Sequence, residues 1–101
     1  MPVPVQALIY VESQGHEQLL HLTGWSKKEL YTRMTMAQLE ELLFPQGFLR
    51  IHKRFLVNMA YLQSLQSTGA LLTTGKSLKA SARNYRENQQ KFVDWKTQQI
   101  W

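Results

Sequence analysis

Gly47-Phe48-Leu49-Arg50-Ile51-His52-Lys53-Arg54-Phe55-Leu56-Val57-Asn58 sets aromatic, leucine and β-branched residues around Arg50, His52, Lys53 and Arg54. That composition favours extended chain, so Phe48 to Val57 reads as strand. Asn58 reads as a residue that bonds nearby backbone where the strand ends. Phe48 and Phe55 read as core, as do Trp25 and Tyr61 elsewhere in the chain.

Upstream, Thr35-Met36-Ala37-Gln38 spells a capping box: the Thr hydroxyl accepts from the amide three residues on, and Gln38 reaches back. A helix is expected from there, with Met36, Leu39, Leu42 and Leu43 as its apolar face, stopped by Pro45-Gln46-Gly47. Before it, apolar-rich residues 7–12 and 17–22 read as a hairpin whose polar tip is Ser13-Gln14-Gly15-His16, and Trp25 to Met34 reads as a third strand. After it, Tyr61 to Gln66 and Leu71 to Ala80 supply further strands, the second around a Thr-Thr-Gly-Lys turn. From about Arg83 the chain becomes polar and straight-chained, and Tyr85, Phe92, Trp95 and Gln99 to Trp101 mark one side of a C-terminal helix at about 83–99. These readings make a mostly β single domain of antiparallel strands spanning residues 1–101, with one short internal helix and a core at about 3–86.

The 101 residues carry a net charge of +5, which favours anionic partners. Its distribution is more telling than its sum. Between Glu41 and Glu87 stand Arg50, Lys53, Arg54, Lys76, Lys79, Arg83 and Arg86 with no acid among them. A solvated face normally intersperses acids to relieve self-repulsion, so the pattern points to an anionic ligand.

The sequence has no cysteine, which excludes disulfides and thiolate chemistry. Its longest apolar runs, such as Leu8-Ile9-Tyr10-Val11, fall far short of the roughly 20 residues of a spanning helix, and no signal-peptide pattern is visible. A soluble cytoplasmic protein without membrane association is expected. Asp94 is the one aspartate and the three histidines are scattered, so no nucleophile–base set emerges and no enzyme is expected. His16 and His21, five apart, and His52, with no carboxylate beside it, do not form a metal site. Gly69 and Gly75 read as turn residues rather than a phosphate loop, so neither cofactor nor small-molecule substrate is implied.

The Gly47–Asn58 segment resembles the signature of the LytTR DNA-binding domain family, an F-x-R-x-H-(K/R)-S-(Y/F)-(L/I)-V-N pattern. Tyr10-Val11-Glu12 at the end of a strand, the helix before the signature and Ser81-Ala82-Arg83 near the end fall in the family's order. Arg54 departs from it, where many relatives have Ser, and so does the long C-terminal helix. The resemblance implies an elongated fold of small antiparallel sheets in a bacterial transcription regulator of two-component type. Such a domain binds duplex DNA sequence-specifically, with two loops in successive major grooves and a third contact in the minor groove between them.

Carried over residue by residue, the first loop falls on Ser13 to Glu17, with Gln14 and His16 as contacts. The central contact falls on His52 and Lys53, and the second loop on Arg83 and Asn84. Arg83 can donate two bonds to guanine O6 and N7. Lys53, Arg54, Lys76, Lys79 and Arg86 would chiefly meet phosphates. Two readings of His52 stand, a groove contact and a structural ring at a strand turn; Arg50 divides in the same way. Two copies on repeated half-sites, as a homodimer on DNA, are expected. The other functional reading is a protein-interaction module that pairs with another regulator through a strand edge or the Tyr85, Phe92, Trp95 face. A single-stranded RNA reader ranks third, for want of an exposed aromatic strand face.

Overall fold

The first apolar runs form β1 (Leu8–Gln14) and β2 (Glu17–Leu22), an antiparallel hairpin in which Leu8 to Val11 are all buried, as expected of a strand covered on both faces. The computed structural model describes residues 3–24 and 26–100, so the readings of Trp25 and Trp101 fall outside the described residues. The hairpin's connection is Gly15-His16, two residues rather than the four expected, because Ser13 and Gln14 remain in the ladder opposite Gln18 and Glu17. Gly15 has φ +64° and His16 does not have a positive φ, the sign pattern of a type II′ turn, which matches the twist of the flanking strands. β3 (Glu29–Thr32) pairs with β2 and is shorter than the expected Trp25–Met34 strand.

The capping box forms as spelled. Thr35 Oγ1 accepts from the Gln38 amide at 3.1 Å and Gln38 Oε1 accepts from the Thr35 amide at 2.9 Å, opening α1 (Met36–Leu43). Met36, Leu39 and Leu43 are buried, but Leu42 is 59% exposed, a correction to the expected face. One residue advances the helix by about 100°, which turns Leu42 away from the stripe that Leu43 continues. Phe44–Gln46 tighten into a 3-10 turn, and Gly47 ends it at φ +93°.

The signature splits into two strands, β4 (Phe48–His52) and β5 (Phe55–Asn58), joined by Lys53-Arg54. Then follow β6 (Leu62–Leu65), β7 (Gly69–Leu72) and β8 (Ser77–Lys79), one turn at Ala82–Asn84, and α2 (Tyr85–Ile100). One sheet has the strand order β3-β2-β1-β5-β4 and the other β6-β7-β8. All strand pairings are antiparallel.

The larger sheet buries both faces. Leu8, Val11, Phe48 and Leu56 meet Met36, Leu39 and Leu43 of α1 on one side. On the other, Ile9, Leu49, Ile51 and Val57 meet Leu62, Leu65, Leu72 and Leu78 of the smaller sheet and Phe92 of α2. Asn58 takes its expected role: Nδ2 donates to the Leu8 carbonyl at 3.0 Å and Oδ1 accepts from the Ala60 amide at 3.0 Å.

α2 folds back over the chain instead of extending it. Phe92 is buried, Tyr85 and Trp95 pack against the same core, and the Asn88 amide donates to the Arg50 carbonyl at 3.1 Å. A Cβ on Gly47 would lie 2.9 Å from Trp95 Nε1, so glycine both supplies the left-handed conformation and lets the indole approach. The Tyr85, Phe92, Trp95 face therefore packs within the chain, which removes it as the free docking face of the interaction-module reading. With α2 folded back, the principal extents are 33 × 30 × 26 Å, and the elongation implied by the resemblance is slight. Among the described residues no helix is long and apolar enough to cross a membrane.

Candidate nucleic-acid interface

The β1–β5 pairing is antiparallel, so the β1–β2 tip and the β4–β5 tip leave the larger sheet at one end. The Ser13 amide donates to the Arg54 carbonyl at 2.9 Å and joins them. Farther along the chain, the Ser81 amide donates to the Ile51 carbonyl at 2.7 Å, which draws the Ala82–Asn84 turn beside the signature hairpin.

The result is a cleft of about 510 Å³ whose lining includes His52, Lys53, Arg83 and Asn84, with Arg50 and Ser81 beside them and the carboxylates Glu40 and Glu87 also on its wall. Four expected contacts, some 30 positions apart in sequence, thus share one concavity. A second cleft of about 280 Å³ is lined by His52, Arg54, Lys76 and Lys79. His52 stands between the two. Gln14 and His16 are exposed on the neighbouring tip and line neither cleft, and Arg86 is exposed on the first turn of α2, also outside both. A larger groove of about 720 Å³ runs between Phe44–Gly47 and α2 near Trp95, and none of the expected contact residues lines it.

The His52 ring has a defined local role. Its Nδ1 accepts from the Arg54 amide at 3.1 Å, and the ring packs against Phe55 at a centroid distance of 5.7 Å. A neutral imidazole that accepts at Nδ1 carries its proton on Nε2, leaving a donor for an outside acceptor. Desolvation by burial pushes the His52 pKa below its ordinary 6.5, and the positive charges of Lys53, Arg54, Lys79 and Arg50 push the same way.

Arg50 turns inward. Its guanidinium donates to the Lys53 carbonyl at 2.7 Å, to Glu40 Oε1 at 3.2 Å and, at a longer 3.4 Å, to the His52 carbonyl. Two acids from outside the acid-free stretch thus reach it in space: Glu40 pairs with Arg50, and Glu12 lies 3.9 Å from Arg54. The absence of acids in the sequence is therefore only partly an absence in three dimensions. Lys53, Lys76, Lys79 and Arg83 keep no carboxylate partner among the described residues.

One cluster escaped the sequence reading. His21 stacks on Tyr10 with ring centroids 4.0 Å apart, and its two nitrogens lie 3.1 Å from Glu12 and 3.7 Å from Glu29. Burial, then Glu12 and Glu29, pushes the Tyr10 phenol up to about 12. These residues come from three strands, and only the pairing of β1 with β2 and of β2 with β3 assembles them.

Comparison with known proteins returns the family described as LytTr DNA-binding domain, whose sequence model matches residues 1–92. A search of curated proteins finds no match. Among solved structures, a LytTr DNA-binding domain from Bacillus cereus superposes with a TM-score of 0.75 at 20% identity, covering 92% of this chain and 86% of that one.

Proposed function

Because the chain belongs to the LytTR family of DNA-binding domains, we propose that it reads a specific duplex sequence for a bacterial transcription regulator, with its hairpin tips and the Arg83 turn set into the grooves. The observation that carries this reading is the convergence of His52, Lys53, Arg83 and Asn84 on one cleft at the end of the sheet where the Gly15-His16 tip also emerges. Arg83 reads a base edge there, and Asn84 supports it. Gln14 and His16 enter the neighbouring major groove, while His52 and Lys53 meet the minor groove between.

His52 combines the two roles the sequence left open: Nδ1 holds the turn and Nε2–H faces outward as a donor. Arg54, Lys76, Lys79 and Arg86 hold phosphates, which fixes register and supplies affinity without sequence information. One such domain buries limited surface, so two copies bind repeated half-sites as a homodimer on DNA in the cytoplasm.

Selection of bound duplexes from a random library, followed by titration across salt, tests the reading. Neutralising about five phosphates per copy, Lys53 included, gives log affinity against log salt a slope of roughly −4.5 for each copy bound. Arg83→Ala should weaken binding to the selected site by about 1 to 3 kcal/mol with little effect on random duplex. Lys79→Ala should weaken both alike. No enrichment, together with a flat salt response, would overturn the DNA reading; equal losses in the two variants would remove Arg83 as the reader.

A further inference from the structure

Two-residue hairpin turns generally need a positive φ in the connection, because only then does the turn follow the strand twist. Lys53-Arg54 has no positive φ at either position, and neither residue is of a type that prefers tight turns. The β4–β5 ladder also slips between Arg50 and His52. Something other than the turn's own residues must hold its shape.

The surrounding groups that do so are all specified. The Arg54 amide is held by the His52 ring and the Arg54 carbonyl by the Ser13 amide. The carbonyls of His52 and Lys53 point to the Arg50 guanidinium, whose remaining terminal nitrogen meets Glu40 of α1. We propose that Arg50 is a positioning residue: without touching DNA it clamps the Lys53-Arg54 turn in its DNA-facing shape, and Glu40 aims the clamp. This rests on the DNA-reading assignment above. Arg50 lies on β4 on the face toward α1, where Glu40 offsets its charge, which makes it a poor phosphate ligand. A planar fork with several donors can span two carbonyls and a carboxylate together; a lysine ammonium cannot reproduce that geometry.

The clamp can be tested before any DNA is added. Arg50→Lys keeps the charge and removes the fork. Nitrogen-15 relaxation on the free protein should show the Lys53 and Arg54 amide order parameters falling from about 0.85 toward 0.6, while those of Gly15 and His16 stay unchanged. On the selected duplex, affinity should fall roughly tenfold, the scale of a lost charged hydrogen bond. In a chain already carrying Lys53→Ala and Arg54→Ala, the same substitution should change affinity by less than about twofold, since the turn it serves has lost its contacts.

Unchanged order parameters would overturn the clamp. Losses that add across the cycle would overturn it too, because they would make Arg50 a DNA contact in its own right. Should Arg50→Lys fail to fold, Glu40→Ala removes only the aiming carboxylate and is judged by the same relaxation and cycle. If the unaltered protein selects no duplex, the DNA reading fails on that result alone, and the relaxation data still decide the clamp.

Discussion

The Gly15-His16 tip and the Lys53-Arg54 tip leave the same end of one sheet on adjacent hairpins, each with a connection of two residues. The first carries its geometry in its own sequence: a glycine at φ +64° makes the turn, and a Cβ placed there would touch nothing within 4 Å. The second carries none. Its shape comes from Arg50, His52 and Ser13, and through them from Glu40. A tip that specifies itself can change its side chains freely, whereas one specified by neighbours fixes the direction of what it presents. That division suits the proposed DNA contacts, in which one tip is free to change and the other is held in place.

The largest perturbation should come at the base of the braced hairpin. Gly47→Ala must accept φ +93° and push a methyl to 2.9 Å from Trp95 Nε1, which moves α2 away from β4. A loss of about 2 to 4 kcal/mol in urea unfolding is expected, combining left-handed strain with a packing collision. A loss below about 1 kcal/mol would mean that α2 yields easily and the brace is weaker than described. Gly15→Ala meets open space and bears only the strain, so about 1 to 2 kcal/mol is expected in the same measurement.

Acid should separate the tips by a smaller amount. The folded pKa of His52 lies below its ordinary value, so the unfolded chain takes up a proton first as pH falls. The stabilisation from the neutral ring is complete above about pH 6.5 and is lost as pH drops through the lowered folded value. Protonation of Nδ1 removes the acceptor for the Arg54 amide. In a pH titration followed by amide resonances, Arg54 should therefore shift and lose exchange protection below pH 6.5, while the Leu72 amide, held by the Lys76 carbonyl in another turn, keeps its protection. An Arg54 amide indifferent to acid would break the link between ring and turn.

What could be read from the chain beforehand follows how local each interaction is. Thr35 and Gln38 satisfy one another three residues apart, so the capping box was legible. The strand-like run Phe48–Val57 was legible as β but not as a hairpin, because Lys53-Arg54 carries no turn chemistry and its clamp includes Ser13, some 40 positions away. Ser13 and Gln14 read as tip residues because their ladder partners Gln18 and Glu17 are also polar, which hides strand pairing from an apolar pattern. Leu42 matched the composition of its helix face but missed its angle.

The acid-free stretch was true of the sequence and only partly true in space, where Glu12 and Glu40 arrive from elsewhere. The meeting of Arg83 with His52 depends on the Ser81–Ile51 hydrogen bond, which no spacing rule announces. The family resemblance implies that both residues contact DNA, at separate grooves, and neither it nor periodicity nor charge says that they share one cleft.

β4 is one of the two outermost strands of the larger sheet, β3 being the other. An outermost strand offers its unpaired backbone to any passing chain, and proteins commonly guard it with a helix or a loop. Here the Asn88 side chain occupies the Arg50 carbonyl and the Ser81 amide occupies that of Ile51. The C-terminal helix, together with the Ser81 segment before it, therefore leaves less of that edge open to an added strand, directly beside the residues proposed to meet DNA, while β3 forms the sheet's other edge.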